Sequence, residues 1–132
     1  MKLDILIVDD DPADIDMLTD FLAEAPFEAV YTTAADGGEG LAQLREHTPD
    51  LVILDLNMPR MGGHEMLAAM QEDAQMAKVP VVVLTTSDRD EDVEASFMGK
   101  AKAFVTKPHD VEGFEALLQL LEDFARAYVW KK

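Results

Sequence analysis

The chain has no cysteine and few basic residues: 11 Lys and Arg stand against 27 Asp and Glu, for a formal net charge of −16. Without cysteine there is no disulfide framework and no thiolate chemistry, as is usual in a reducing cytoplasm. The excess of negative charge repels phosphate backbones and anionic membrane surfaces. We therefore expect neither nucleic acid nor a membrane as a partner.

Long hydrophobic runs are missing as well. No apolar run approaches the roughly 20 residues of a membrane span, and Asp4 follows the start too closely for a signal peptide. We expect a cytoplasmic protein. The 132 residues suffice for one domain with a real core and not for a second of ordinary size, so a single domain over 1–132 is predicted.

The apolar residues that are present follow a regular order. Short runs rich in Val, Ile and Leu alternate five times with segments of helical period, which is typical of βα units around a parallel sheet buried on both faces. The sequence therefore predicts an α/β fold with five parallel strands and helices on both sides. The predicted strands are 3–8, 30–33, 51–54, 79–84 and 103–105, with 30–33 the most polar and nearest an edge.

Some residues mark expected helix ends. Pro12 suits the first turn of the first helix, and Asp88 with Glu91 three residues later resembles a capping box. Asp110 is expected to cap a last helix over about 110–129.

The apolar stripe of that last helix is wider than a core-facing helix needs. We expect the surplus to form a two-fold symmetric homodimer, because exposed aromatic clusters usually mark interaction surfaces. The alternative is a chain terminus that packs back on its own domain. The predicted interface residues are Phe114, Leu121, Phe124 and Tyr128, with Trp130 extending the cluster.

Polar residues with complementary chemistry follow four of the predicted strands. Asp9 and Asp10 follow the first strand, Asp55 the third, Thr85 the fourth and Lys107 the fifth. The carboxyl ends of parallel strands share one edge of the sheet, so these groups should lie close together. Carboxylates suit Mg²⁺, whereas a hydroxyl and an ammonium can bind phosphoryl oxygens. With Asp55 left as nucleophile, the pattern predicts an aspartyl phosphate.

The acids could instead form only a solvated turn. Several carboxylates at close range repel one another unless a cation offsets their charge, and we take that cation to be Mg²⁺. Asp10 is predicted to bind it directly, Asp9 mainly through a water, and Asp55 and the backbone carbonyl of Asn57 to complete the set.

The other candidates also have ordinary structural explanations. Thr85 could be only a β-branched strand residue, and Lys107 only a surface lysine. Its place directly after a buried strand favours a role for Lys107. Phe104 is equally well a core residue, and His64 and His109 are expected to be surface residues without an orienting partner.

Taken together, the acid cluster, the segment Leu54–Pro59, Thr85-Thr86 and Lys107-Pro108 resemble the receiver domain of two-component response regulators, over the whole chain. The resemblance implies a flavodoxin-like fold with strand order 2-1-3-4-5. It also implies site roles by position: Asp55 the phosphoacceptor, Asp9 and Asp10 the metal-binding pair, Thr85 the switch hydroxyl, Lys107 the lysine of the site and Phe104 the switch aromatic.

Two residues depart from the family pattern. Lys100 stands where a glycine is typical, seven residues before the site lysine, and Gly62 stands where an Asp is usual in the loop after the phosphoacceptor. Neither change removes a catalytic group, but Lys100 raises a question about the backbone of its loop.

The function that the resemblance implies is a stand-alone signalling switch. It would take a phosphoryl group from a sensor histidine kinase onto Asp55 with Mg²⁺, catalyse its own phosphotransfer and dephosphorylation, and relay its state through altered surface contacts. The segments 11–14 and 83–87 are more similar to the phytochrome-associated group, so a phytochrome is one candidate kinase.

Three other functions remain open. A magnesium-dependent aspartyl phosphohydrolase usually needs a general acid two residues after its nucleophile, where this chain has Asn57. A docking module that works without phosphorylation would not need the complete set of site residues. A flavodoxin-like electron carrier shares the fold, but fold alone does not give function.

Overall fold

The computed structural model describes residues 1–130, in which strands and helices alternate along the chain. The strands are β1 Lys2–Val8, β2 Glu28–Ala34, β3 Leu51–Leu54, β4 Val81–Thr85 and β5 Ala103–Thr106. The helices are α1 Pro12–Ala23, α2 Gly37–Glu46, α3 Gly63–Gln71, α4 Asp90–Met98 and α5 Val111–Tyr128, and a 3-10 turn, Met76–Lys78, precedes β4. None of the described helices is both long and apolar enough to cross a bilayer.

All strand pairs are parallel, and the sheet order is β2-β1-β3-β4-β5. The predicted α/β fold and strand order are therefore confirmed. The strand predicted nearest an edge, β2, is an edge strand, and its Tyr31 is 44% exposed. β4 begins at Val81 and not at Val79, because the 3-10 turn and Pro80 occupy the residues before it.

Helices cover both faces of the sheet. Successive strand residues point to opposite sides, so Ile5 and Ile7 of β1 pack in one core beneath α1 and α5, whereas Leu6 and Val8 pack in a second core beneath α2 and α3. β1, β3 and β4 have residues in both cores, which explains why their sequences read as unbroken apolar runs.

Side-chain caps fix where three of the helices begin, and Asp36 caps α2 by accepting a hydrogen bond from Glu39 N at 2.8 Å. Asp11, directly before Pro12, caps α1 by accepting a hydrogen bond from Ala13 N. Asp110 caps α5 by accepting one from Gly113 N at 2.8 Å. The capping box predicted at Asp88 is wrong, because α4 begins at Asp90 with Arg89 at the cap position and no side-chain cap. Ser87 Oγ donates instead to the carboxylate of Asp92, at 2.5 Å.

Trp130, the last residue that the structure describes, packs back on the protein's own sheet. The Trp130 indole donates a hydrogen bond to the carbonyl of Lys2 at 2.7 Å, and its ring packs edge-on against Phe27. This is the alternative that the sequence left open for the aromatic terminus. Trp130 is consequently not part of a free aromatic cluster.

Two of the predicted dimer-interface residues lie inside the protein. Phe114 stacks on Phe21 with ring centroids 4.3 Å apart, and Leu121 is fully buried against the sheet. Neither side chain is available to a partner, so the interface prediction is wrong for these two residues. Phe124 is half-buried and Tyr128 is 76% exposed. For these two residues the interface stays a prediction.

Lys100, the residue in place of the family's glycine, adopts a left-handed backbone conformation with φ of 73°. A side chain with a Cβ is strained there, by about 1 to 2 kcal/mol. The loop between α4 and β5 therefore keeps the backbone that suits glycine although it carries lysine.

Replacing Lys100 by glycine should stabilise the protein by about 0.5 to 1 kcal/mol, since the relief of strain exceeds the entropic cost of glycine. The measurement is urea unfolding of the parent and the variant. Lys102→Gly is the matched control, because Lys102 is an exposed lysine of the same loop whose φ is not positive. Equal destabilisation by both glycines would contradict the strain argument.

Candidate functional site

The candidate site lies at the carboxyl ends of four adjacent strands. Backbone hydrogen bonds tie these ends together: Asp55 N donates to Val8 O at 2.9 Å, and Lys107 N donates to Thr85 O at 2.8 Å. Parallel pairing thus brings together groups that lie up to about a hundred residues apart in the chain. Four strand ends that the sequence singled out form one site.

Lys107 is the centre of that site. Its Nζ lies 2.7 Å from Asp14 Oδ2, 2.9 Å from Asp9 Oδ2 and 3.1 Å from Asp55 Oδ2. Burial alone would lower the pKa of Lys107, but the hydrogen bonds to Asp14 and Asp9 and the charge of Asp55 outweigh it and raise that pKa. The ammonium therefore stays charged.

Three carboxylates form an acidic cluster at the same edge. Single oxygens of Asp9, Asp10 and Asp55 lie within 4.8 Å of one another, close to the roughly 4.2 Å that separates opposite ligands in an octahedral magnesium site. Burial raises the pKa of Asp9, and hydrogen bonds from Lys107 and Asp11 only partly offset this effect. An all-oxygen donor set of this kind can hold a hard divalent cation.

Thr85 is connected to Asp55 through Asn57. The backbone N of Asn57 donates to Asp55 Oδ1 at 3.2 Å, and the side-chain amide of Asn57 donates to Thr85 Oγ1 at 3.4 Å. Thr85 is fully buried, so its hydroxyl faces the site and not solvent. The sequence predicted a role for the carbonyl of Asn57; its side chain provides a further link that the sequence did not indicate.

Gly63 allows α3 to begin directly against the strand that carries Asp55. A Cβ at this position would lie 2.6 Å from the carbonyl oxygen of Asp55 and 2.7 Å from Leu56 Cα. Contacts that short would push the backbone of Asp55 away from its place. Glycine at position 63 thus has a steric reason.

Two features of the site were missed from the sequence. Asp14, on the first turn of α1, is the closest partner of Lys107. Beside the site, His64 of α3 lies 3.0 Å from Asp92 of α4, which also accepts from Ser87. The Ser87 hydroxyl, followed by His64, lowers the pKa of Asp92. No strand-end pattern marks these residues, since they lie on helix surfaces.

The remaining candidates lie outside the cluster. Phe104 is half-buried on β5 and packs against the core beneath α2 and α3, opposite Val83 of β4, so its switch role stays a prediction. His109 is exposed. His64 has the partner Asp92, contrary to the expectation that it would lack one.

Comparison with known proteins decides the family. Residues 5–119 match the model of the response regulator receiver domain. The chain belongs to this family. Receiver domains act in two-component systems, in which histidine kinases phosphorylate response regulators. The family that the combined motifs predicted from the sequence is therefore confirmed.

Individual relatives are similar over nearly their whole length. Response regulator Rcp1 of Synechocystis is 31% identical over 127 residues, which cover 91% of this receiver chain and 86% of Rcp1. The phosphorylated cyanobacterial phytochrome response regulator RcpA superposes with a TM-score of 0.82 at 30% identity, covering 98% and 96% of the two chains. The manganese-bound form of Rcp1 gives 0.81 at 28% identity, covering 98% and 97%.

Proposed function

We propose that this receiver domain takes a phosphoryl group on Asp55 from a phosphohistidine of a sensor histidine kinase. The observation that carries the proposal is the approach of Lys107 Nζ to within 3.1 Å of Asp55, beside the acidic cluster. Asp55 is itself 5% exposed. A carboxylate that is nearly buried, and that has both a fixed cation and a cation-binding cluster beside it, suits reversible phosphorylation.

The transfer is a displacement at phosphorus. An Asp55 carboxylate oxygen forms the new P–O bond while the P–N bond to histidine breaks, and the histidine nitrogen leaves with the electron pair and takes up a proton. A magnesium ion bound by Asp9, Asp10 and Asp55, with the Asn57 carbonyl as a further ligand, would supply positive charge to the phosphoryl oxygens.

Lys107 and Thr85 act on the product. The ammonium neutralises one phosphoryl oxygen, and the Thr85 hydroxyl moves to donate to another, giving up its contact with Asn57. Phe104 then turns inward behind Thr85, and the surface of β5 and α5 changes. Attack of water on the phosphorus releases inorganic phosphate and restores the Asp55 carboxylate.

The site favours this function over a phosphohydrolase. The residue two positions after the nucleophile is Asn57, whose amide donates to Thr85 and has no acidic proton to give a leaving group. A docking module without phosphorylation would leave the convergence of Lys107, Asp9 and Asp55 unexplained. We place the protein in the cytoplasm, where histidine kinases present their phosphohistidine.

A phytochrome-type kinase is the partner we propose. Support comes from the similarity to Rcp1 and to RcpA, the latter described as a phytochrome response regulator. The segment Asp11–Asp14, which is more similar to that group, contributes the helix cap Asp11 and the lysine contact Asp14.

Asp55→Asn should abolish labelling by a small-molecule phosphodonor, because an amide is neither nucleophilic nor able to carry an acylphosphate. The measurement is the intact mass after incubation with acetyl phosphate and Mg²⁺. Asp16→Asn, an exposed acid on α1, is the control and should label like the parent, whereas EDTA should stop labelling of both. Undiminished labelling of Asp55→Asn would refute the assignment.

We further propose that the protein forms a homodimer through the end of α5. The exposed ring of Tyr128 lies 5.0 Å from the ring of the half-buried Phe124, and Tyr128 stays exposed whereas Trp130 packs against Phe27. Tyr128→Asp should shift sedimentation to the monomer, and Tyr31→Asp, at the exposed tyrosine of β2, should not. A parent that is monomeric at high micromolar concentration, with or without beryllofluoride, would overturn the proposal.

A further inference from the structure

Asp14 has no part in the phosphotransfer described above, yet it makes the closest contact of the site lysine. Its Oδ2 lies 2.7 Å from Lys107 Nζ, a shorter distance than that of either Asp9 or Asp55. Asp14 does not belong to the acidic cluster that can hold a cation, which is Asp9, Asp10 and Asp55. Across residues 1–130, Lys107 is the single hydrogen-bond or ion-pair partner of the Asp14 carboxylate.

The number of donors on Lys107 makes this contact consequential. An ammonium has three N–H donors, and three carboxylates surround Lys107 at hydrogen-bond distance. Asp14 and Asp55 accept hydrogen bonds from Nζ, and Asp9 is an ion-pair partner. A phosphoryl oxygen on Asp55 must therefore compete with these carboxylates for the ammonium. Asp9 and Asp55 stay at the reaction centre, so the bond to Asp14 is the one that competes with the phosphoryl oxygen.

The start of α1 holds Asp14 in place. The Asp11 carboxylate caps the helix through Ala13 N, and Pro12 stands in the first turn. An acidic side chain in the first helical turn is also favoured by the helix dipole. Asp14 therefore approaches Lys107 from a rigid element and does not simply follow the lysine when it moves.

We infer that Asp14 is a positioning residue that holds Lys107 in its resting place and thereby opposes phosphorylation of Asp55. The inference rests on the proposed function. It makes α1 a regulatory element, since the bond between α1 and Lys107 sets how readily the site accepts the phosphoryl group.

Beryllofluoride binding tests the inference, since this phosphoryl analogue competes for the same N–H. The affinity of Asp14→Asn for beryllofluoride should be at least about fivefold higher than that of the parent, because the substitution weakens one partly exposed charge-assisted hydrogen bond. Asp14→Glu keeps the charge and can keep the hydrogen bond, so its affinity for beryllofluoride should stay within about twofold of that of the parent. Asp16→Asn on the same helix removes an equal charge that does not contact Lys107, and should also match the parent.

A second comparison isolates the route through the lysine. In a Lys107→Ala background the gain from Asp14→Asn should disappear, because the competition for the ammonium no longer exists. Three results would each overturn the inference. Asp14→Asn could bind beryllofluoride no more tightly than the parent, Asp16→Asn could gain as much affinity as Asp14→Asn, or the gain could persist without Lys107. A parent that fails to bind beryllofluoride would overturn the proposed function, and the inference with it.

Discussion

Lys107 Nζ lies within 3.1 Å of three carboxylates, two directly after β1 and β3 and one on α1, and the architecture of the site depends on this contact. Acids at such short range repel one another unless positive charge lies between them. In a chain of net charge −16, few basic residues are available to supply it. Lys107, directly after β5, therefore supplies the positive charge that keeps these acidic side chains close together.

Under the proposed function, the same contact would let a single site both hold and report a phosphoryl group. The ammonium already binds Asp55, so it is in place when charge is added to that residue. Thr85 ends the neighbouring strand, and its carbonyl accepts the backbone N–H of Lys107. Thr85 and Lys107 are thus linked both by this bond and by the pairing of β4 with β5.

Much of this arrangement could be predicted from sequence for a definite physical reason. Asp9, Asp55, Thr85 and Lys107 each end or follow an apolar run, and parallel pairing places such residues side by side. Asp14 could not be found in this way, because its contact with Lys107 depends on how α1 packs. Nor could hydrophobicity alone show that Phe114, Leu121 and Trp130 pack within the chain and not against a partner, since both environments favour the same residues.

The most direct test of the account is the effect of magnesium on the unfolding free energy of Lys107→Met. Removal of the ammonium should destabilise the protein in EDTA by more than about 1 kcal/mol, since it leaves carboxylates unpaired. Saturating Mg²⁺ should recover most of that loss by restoring positive charge, and Lys102→Met, at an exposed lysine, should change little in either condition. A Lys107→Met protein as stable as the parent in EDTA would contradict the account.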